Sequence, residues 1–145
     1  MHADDCPLCR DTAVALWRDD SCRVISAADA DYPGFLRVIW QAHVREMTDL
    51  DPASQQHLLR VVLAVERVLR AELAPDKINL ATLGNQVPHL HWHVIPRFAD
   101  DPHFPDPVWA ARRRAGVAHA ANEQRLAEAL HAALRPNQTG TVTGS

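Results

Sequence analysis

Residues 87–98 read VPHLHWHVIPRF, with His89, His91 and His93 at every second position and Leu90, Trp92 and Val94 in the gaps between and after them. A period of two is that of a β-strand, whose successive side chains point to opposite faces. The stretch therefore predicts one strand with three imidazoles on one face and an apolar anchor on the other. On a helix the same spacing would scatter the rings. Successive histidines on the polar face stand roughly 6.6 Å apart, at a rise of about 3.3 Å per residue. Only His91 has a histidine on both sides.

A strand with an apolar back needs a sheet around it and a layer behind it. KINLATLG (77–84) reads as a neighbouring strand, with Gly84-Asn85 as the turn before Pro88. FLRVIW (35–40) is β-branched and aromatic enough for a central strand. Residues 13–26 hold two apolar runs, AVALW and CRVISA, split by RDDS, which predicts a hairpin. ADADYPGF (28–35) is broken by Pro33-Gly34 and reads as a loop. The layer behind the sheet comes from residues 49–75. Asp51 is a good N-cap, Pro52 suits the first turn, and Leu58, Leu59, Val62, Val65, Leu69 and Leu73 recur at helical spacing before Pro75. FADDPHFPDPVW (98–109) predicts an ordered loop, and a second helix is expected over Asn122–Leu134, capped by Asn122, with Leu126, Ala129, Leu130 and Ala133 inward. The expected fold is α+β, an antiparallel sheet with one long helix and a C-terminal helix. It forms a single domain over residues 1–135 with a flexible tail at 136–145.

Composition narrows the class. The 145 residues carry a formal charge of −3, and their basic residues are scattered, which argues against a nucleic-acid surface. Arg112-Arg113-Arg114 is the local exception and reads as a solvated face. No apolar run reaches membrane-spanning length, and the first residues, MHADDCPLCR, resemble neither a signal nor a transit peptide. Three cysteines do not make a secreted disulfide framework. The expectation is a soluble, cytoplasmic protein without an organic cofactor or membrane partner.

Three imidazoles on one face are difficult to pack as a neutral core, because each brings nitrogens that need partners. Two chemistries suit them. Neutral imidazole is a nucleophile toward phosphorus, and flanking groups can fix its tautomer and donate to phosphoryl oxygens. Alternatively, alternating histidines can chelate a catalytic zinc whose bound water attacks. Separately, Cys6-Pro7-Leu8-Cys9 has the spacing that lets two thiolates share one tetrahedral zinc, or that forms a redox pair. Cys22 reads as a small buried residue.

The run His89-Leu90-His91-Trp92-His93-Val94-Ile95 resembles the signature of the histidine triad family. Its continuation through Pro96-Arg97 is similar to the branch that cleaves dinucleoside polyphosphates. PGFLRVIWQAH (33–43) resembles the strand-and-turn segment of that family, with His43 at the matching histidine, and the likeness covers residues 6–98. The resemblance implies a homodimer that binds a nucleotide and forms a nucleotidyl-histidine intermediate. It implies His91 as the nucleophile on the α-phosphorus, with His93 orienting it and hydrogen-bonding the phosphate. It also implies a structural zinc held by Cys6, Cys9, His43 and His89. A ribose contact falls nominally on Ala27 and is therefore shifted to Asp29; Asn85 takes the place of the family's glutamine in a shortened Leu83–Pro88 segment. Trp40-Gln41 replaces the usual Pro-Lys, and Arg97 is either a phosphate contact or a surface ion pair. The substrate implied is a dinucleoside polyphosphate or a nucleoside phosphoramidate. Beside it stand a zinc-dependent hydrolase and a nucleotide-binding regulator with little turnover.

Overall fold

A computed structural model describes residues 1–136; the expected flexible tail lies, from residue 137 onward, outside the described residues. The chain builds a five-stranded antiparallel sheet in the order β1-β2-β3-β5-β4, from β1 (Trp17–Arg18), β2 (Cys22–Ser26), β3 (Leu36–Trp40), β4 (Lys77–Ala81) and β5 (His91–Arg97). One helical turn, α1 (Pro7–Arg10), precedes the sheet. The long helix α2 (Pro52–Leu73) and the C-terminal helix α3 (Glu123–Ala133) complete the α+β fold. None of these helices is long and apolar enough to cross a membrane.

Both helices begin where side-chain caps satisfy their first free N–H groups. Asp51 Oδ1 accepts from Ser54 N at 2.8 Å and Asn122 Oδ1 from Arg125 N at 3.1 Å. α2 ends at Ala74, whose φ of 46° is left-handed, just before Pro75. Its inner stripe is Leu58, Val61, Val62, Ala64, Val65, Val68 and Leu69, whereas Leu59, expected inward, is exposed. In α3 the buried residues are Leu126 and Leu130; Leu134 takes the inward place expected of the exposed Ala133, because the helix ends there.

One face of the sheet packs on α2 through Val24, Leu36, Val38, Trp40, Ile78, Leu90 and Val94, with Trp92 against the same cluster. The opposite face carries Arg23, Arg37, Ile39, His91 and His93, fixed there by register. Arg37 pairs with His93 and Ile39 with His91 across β3 and β5, and Arg23 pairs with Ile39 across β2 and β3. The two-faced reading of the histidine run therefore holds, with one correction. The strand starts at His91, not His89, because His89 N donates to Val87 O in a turn while Leu90 N donates to Val44 O. The first arm of the hairpin is also shorter than expected: Ala13 N is held by Asp11 Oδ1 in a local turn, and Val14 is left exposed.

The loop expected over residues 98–109 extends to residue 121, and Asp101 organises it. This buried carboxylate accepts from Arg97 Nε (2.8 Å) and Nη2 (3.1 Å), from the N–H groups of Phe98, His103 and Phe104, and from the Tyr32 hydroxyl. Arg97 also donates to Asn79 Oδ1 and Asp106 O and is 2% exposed, so it is neither a surface ion pair nor a lining residue of the cleft described below. The three arginines expected to face solvent are used as well. Arg112 binds Asp31, Arg113 binds Asp106, and Arg114 donates to the carbonyls of Asp101 and Phe104.

Burial by itself would raise the Asp101 pKa, but Arg97 and the three N–H groups outweigh it and hold the carboxyl far below the usual carboxylate range. A depressed pKa contributes stability above the unfolded value, near 4, and loses it as pH falls through the folded one. Asp101→Asn should cost about 3–5 kcal/mol in urea unfolding at pH 7, since it leaves Arg97 buried without its counter-charge. The gap from the wild type should narrow progressively below about pH 4.

Candidate active site

β5 delivers His91 and His93 into a cleft of about 370 Å³, walled by Leu8 from α1, Arg37 from β3, the 83–87 segment and Trp109 from the long loop. That volume is within the range of small-molecule sites. The two imidazoles stand edge to face with centroids 4.9 Å apart. His93 is also packed edge-on by Phe35 (5.6 Å) and Trp109 (5.1 Å).

His91 Nδ1 lies 2.6 Å from the carbonyl oxygen of His89. A carbonyl can only accept, so this nitrogen carries the proton and Nε2 keeps its lone pair. The ring is therefore oriented by the backbone two residues upstream, with His93 packed edge-on against it. Burial chiefly, and Arg37 to a lesser degree, hold His91 below the ordinary imidazole pKa against the opposing effect of the carbonyl, so the ring is neutral at pH 7. His93 is pushed down to about 4 by burial, His91 and Arg37. Its Nδ1 is buried with no hydrogen-bond partner among the described residues.

The first histidine of the run joins a different group. Cys6, Cys9, His43 and His89 bring one donor atom each within 4.8 Å of one another. Both cysteine sulfurs lie 3.4 Å from His89 Nδ1, Cys9 Sγ lies 3.4 Å from His43 Nδ1, and the two Nδ1 atoms are 3.1 Å apart. A tetrahedral zinc with bonds of about 2.3 Å to sulfur and 2.0 Å to nitrogen would separate S from N by about 3.5 Å and N from N by about 3.3 Å. The tautomers agree with a cation. His89 Nε2 donates to Trp40 O (2.6 Å) and His43 Nε2 to Met1 O (3.2 Å), so two Nδ1 lone pairs face each other across the cluster. His91 and His93 belong to no metal-capable group of three among the described residues.

Asp19, Cys22 and His57 form the other such group. There Asp19 accepts from the N–H groups of Ser21 and Cys22 and pairs with His57 Nε2 at 2.6 Å, closing the β1–β2 turn against α2. Burial and the Asp19 charge push the Cys22 thiol up, and it remains the small buried residue expected.

Of the expected substrate contacts, Asn85 lines the cleft. Asp29 does not; its carboxylate closes a turn by accepting from Asp31 N at 2.9 Å. Arg37 lines the cleft and was missed, although it is the one charged residue in the run FLRVIW and shares the parity of Ile39 rather than of the core residues. Trp109 is a cleft wall at 51% exposure.

Comparison with known proteins agrees with this geometry. The HIT domain family model matches residues 10–100. A histidine triad protein from Bradyrhizobium japonicum is 34% identical, covers 82% of this chain and 88% of its own, and superposes with a TM-score of 0.67. One from Marinobacter aquaeolei is 31% identical over 85% and 86% of the two chains, with a TM-score of 0.63. The bis(5'-adenosyl)-triphosphatase of Saccharomyces cerevisiae is 29% identical over 72 residues, which are 46% of this chain but only 35% of that protein. With a family match across more than half its length, and with His91 and His93 on one face of its sheet, this chain belongs to the HIT domain family.

Proposed function

We propose that the protein is a nucleotide hydrolase or transferase in which His91 forms a covalent nucleotidyl intermediate. The observation that carries this reading is the 2.6 Å contact between His91 Nδ1 and His89 O, which commits the proton to one nitrogen and leaves the other as a nucleophile on a ring lining the cleft. Nε2 attacks the α-phosphorus of a dinucleoside polyphosphate or a nucleoside phosphoramidate. The N–P bond forms as the bond from phosphorus to the leaving group breaks, and the leaving group takes that electron pair. Water then attacks phosphorus, the N–P bond breaks with its electron pair returning to Nε2, a proton of that water passes to solvent, and the mononucleotide leaves with His91 neutral again. Neutral His93 donates an N–H to a phosphoryl oxygen, and the amides of Asn85 and Gln86 at the cleft wall bind the phosphates. The similarity to the yeast triphosphatase favours dinucleoside polyphosphates among these substrates.

The same reading gives Cys6, Cys9, His43 and His89 a structural zinc, and the four donors leave no coordination position for substrate. Zinc there supplies a cross-link, tying the N-terminal turn to the start of the catalytic strand. Leu8, between the two cysteines, is a cleft wall, and its carbonyl accepts from Arg23 Nη2 at 2.7 Å. Separation of His89 from His91 and His93 favours this over the catalytic-zinc alternative. A homodimer belongs to the proposal too: β4 is an edge strand, and Leu59, Leu63 and Leu80 are exposed.

Intact-protein mass spectrometry after brief acid quench with a diadenosine polyphosphate should find one adenylyl adduct on the wild type. None should form on His91→Ala, whose kcat/KM should fall by about 10³-fold or more. A wild type that turns over without an adduct, and loses activity to chelators, would support the catalytic-zinc reading instead. Metal analysis should give one zinc per chain in the wild type and little in Cys6→Ala, which should melt at lower temperature yet still turn over. Activity lost in step with zinc in a folded Cys6→Ala would contradict a purely structural ion. Light scattering should return twice the chain mass of 16.1 kDa, and Leu63→Asp should lower it.

A further inference from the structure

The cleft holds a charge that the reaction described above leaves unused. Arg37 stands directly opposite His93 across β3 and β5 and lines the cleft with both catalytic histidines. The neighbouring arginine on this face, Arg23, is fully engaged with the carbonyl of Leu8, the amide of Gln41 and the carboxylate of Asp11. Arg37 has no counterpart to any of these. It makes no ion pair among the described residues, and its Nε is buried without an acceptor. Among the described residues, no acidic side chain lines the cleft.

Burying a guanidinium N–H without an acceptor is costly and rare in folded proteins. Here a second orphan lies beside it, Nδ1 of His93, whose ring is 7% exposed. The guanidinium of Arg37 sits over the Phe35 ring, with Cζ 5.8 Å from its centroid, a favourable cation–π position. An oxygen acceptor arriving with a ligand would satisfy Nε, and the guanidinium fork matches the oxygens of a phosphate.

We propose that Arg37 is a specificity-determining residue that binds a second phosphate group on the substrate, beside the phosphoryl group that His91 attacks. The proposal rests on the nucleophilic role of His91 for which phosphate counts as the second. Two sources share this chemistry: the next phosphate of a polyphosphate chain, and a phosphate esterified to the ribose.

Calorimetric titration of the His91→Ala variant, which cannot turn the ligands over, separates them. AMP, ADP and adenosine 3′,5′-bisphosphate would be compared with Arg37 intact and with Arg37→Lys, Arg37→Gln and Arg37→Leu added. With Arg37 intact, a second phosphate should tighten binding about 10- to 100-fold over AMP, the range of hydrogen bonds to a charged group. Lys should keep part of that gain, and Gln and Leu should lose it. Arg37→Gln keeps the test readable if Arg37→Leu fails to fold. A gain for ADP assigns the polyphosphate chain and a gain for the bisphosphate assigns the ribose phosphate; either supports the proposal. Equal affinity for all three ligands, no measurable binding of any, or a gain undiminished in Gln and Leu overturns it. An adduct on the wild type without a second-phosphate gain sinks this proposal alone. The gain without an adduct sinks the nucleophile reading alone.

Discussion

The hydrogen bond from His91 Nδ1 to the carbonyl of His89 is the constraint on which the site depends. It exists because His89 is held out of the ladder: its N–H turns back to Val87 O, and its imidazole is drawn into the cysteine cluster by Trp40 O on one nitrogen and the metal-capable donors on the other. A carbonyl in a regular strand would be spent on a neighbouring strand. This one is spent on the His91 ring. One residue thus serves two sites, its side chain in the donor cluster and its backbone setting the tautomer of the proposed nucleophile. The N-terminal turn is tied into the same arrangement, because the two cysteines that complete the cluster flank Leu8 at the cleft wall.

The rest of the fold separates two environments across one sheet. Behind it, α2 seals an apolar layer in which Leu90 and Val94 are anchored, with Trp92 packed against it and donating from its indole to Met47 Sδ. In front of it the single turn α1 packs through Leu8 on Ile25 and Ile39, and beside that contact the sheet presents arginines and histidines at positions that a sandwich or bundle would fill with aliphatic residues. Such a face survives because most of its polar groups are paired and the remainder open on a cleft. The long loop that carries Trp109 to that cleft has little regular structure of its own and is held by Asp101, a single buried carboxylate accepting six hydrogen bonds.

How far the site was legible depended on how its residues communicate. The four cluster residues were readable because CxxC fixes two thiolates in one turn, and the resemblance supplied the two distant histidines. Asn85, which the resemblance put in the place of the family's glutamine, lines the cleft. Arg97 and Asp29 were assigned by proximity in sequence to the triad and to the Pro-Gly turn. In the fold, one is buried by Asp101, and the other caps its own loop. Neither use can be seen without the partner, and Asp101 becomes a partner only after the chain turns back on itself.

The sequence by itself determined the alternation of faces, the capped long helix and the α+β class, because these are properties of short-range periodicity and of local hydrogen bonds at Asp51 and Asn122. Only the tertiary structure decided which nitrogen of His91 is free, which arginines are neutralised, and that Arg37 faces the cleft unpaired. The arginine pairings depend on register between β3 and β5 and on carbonyls and carboxylates brought from far along the chain, and the His91 tautomer depends on the turn at His89, whose ring is held by the distant Trp40. A pairing of that kind leaves no period in the sequence, because the interaction is set by where two strands meet and not by the order of residues within either one.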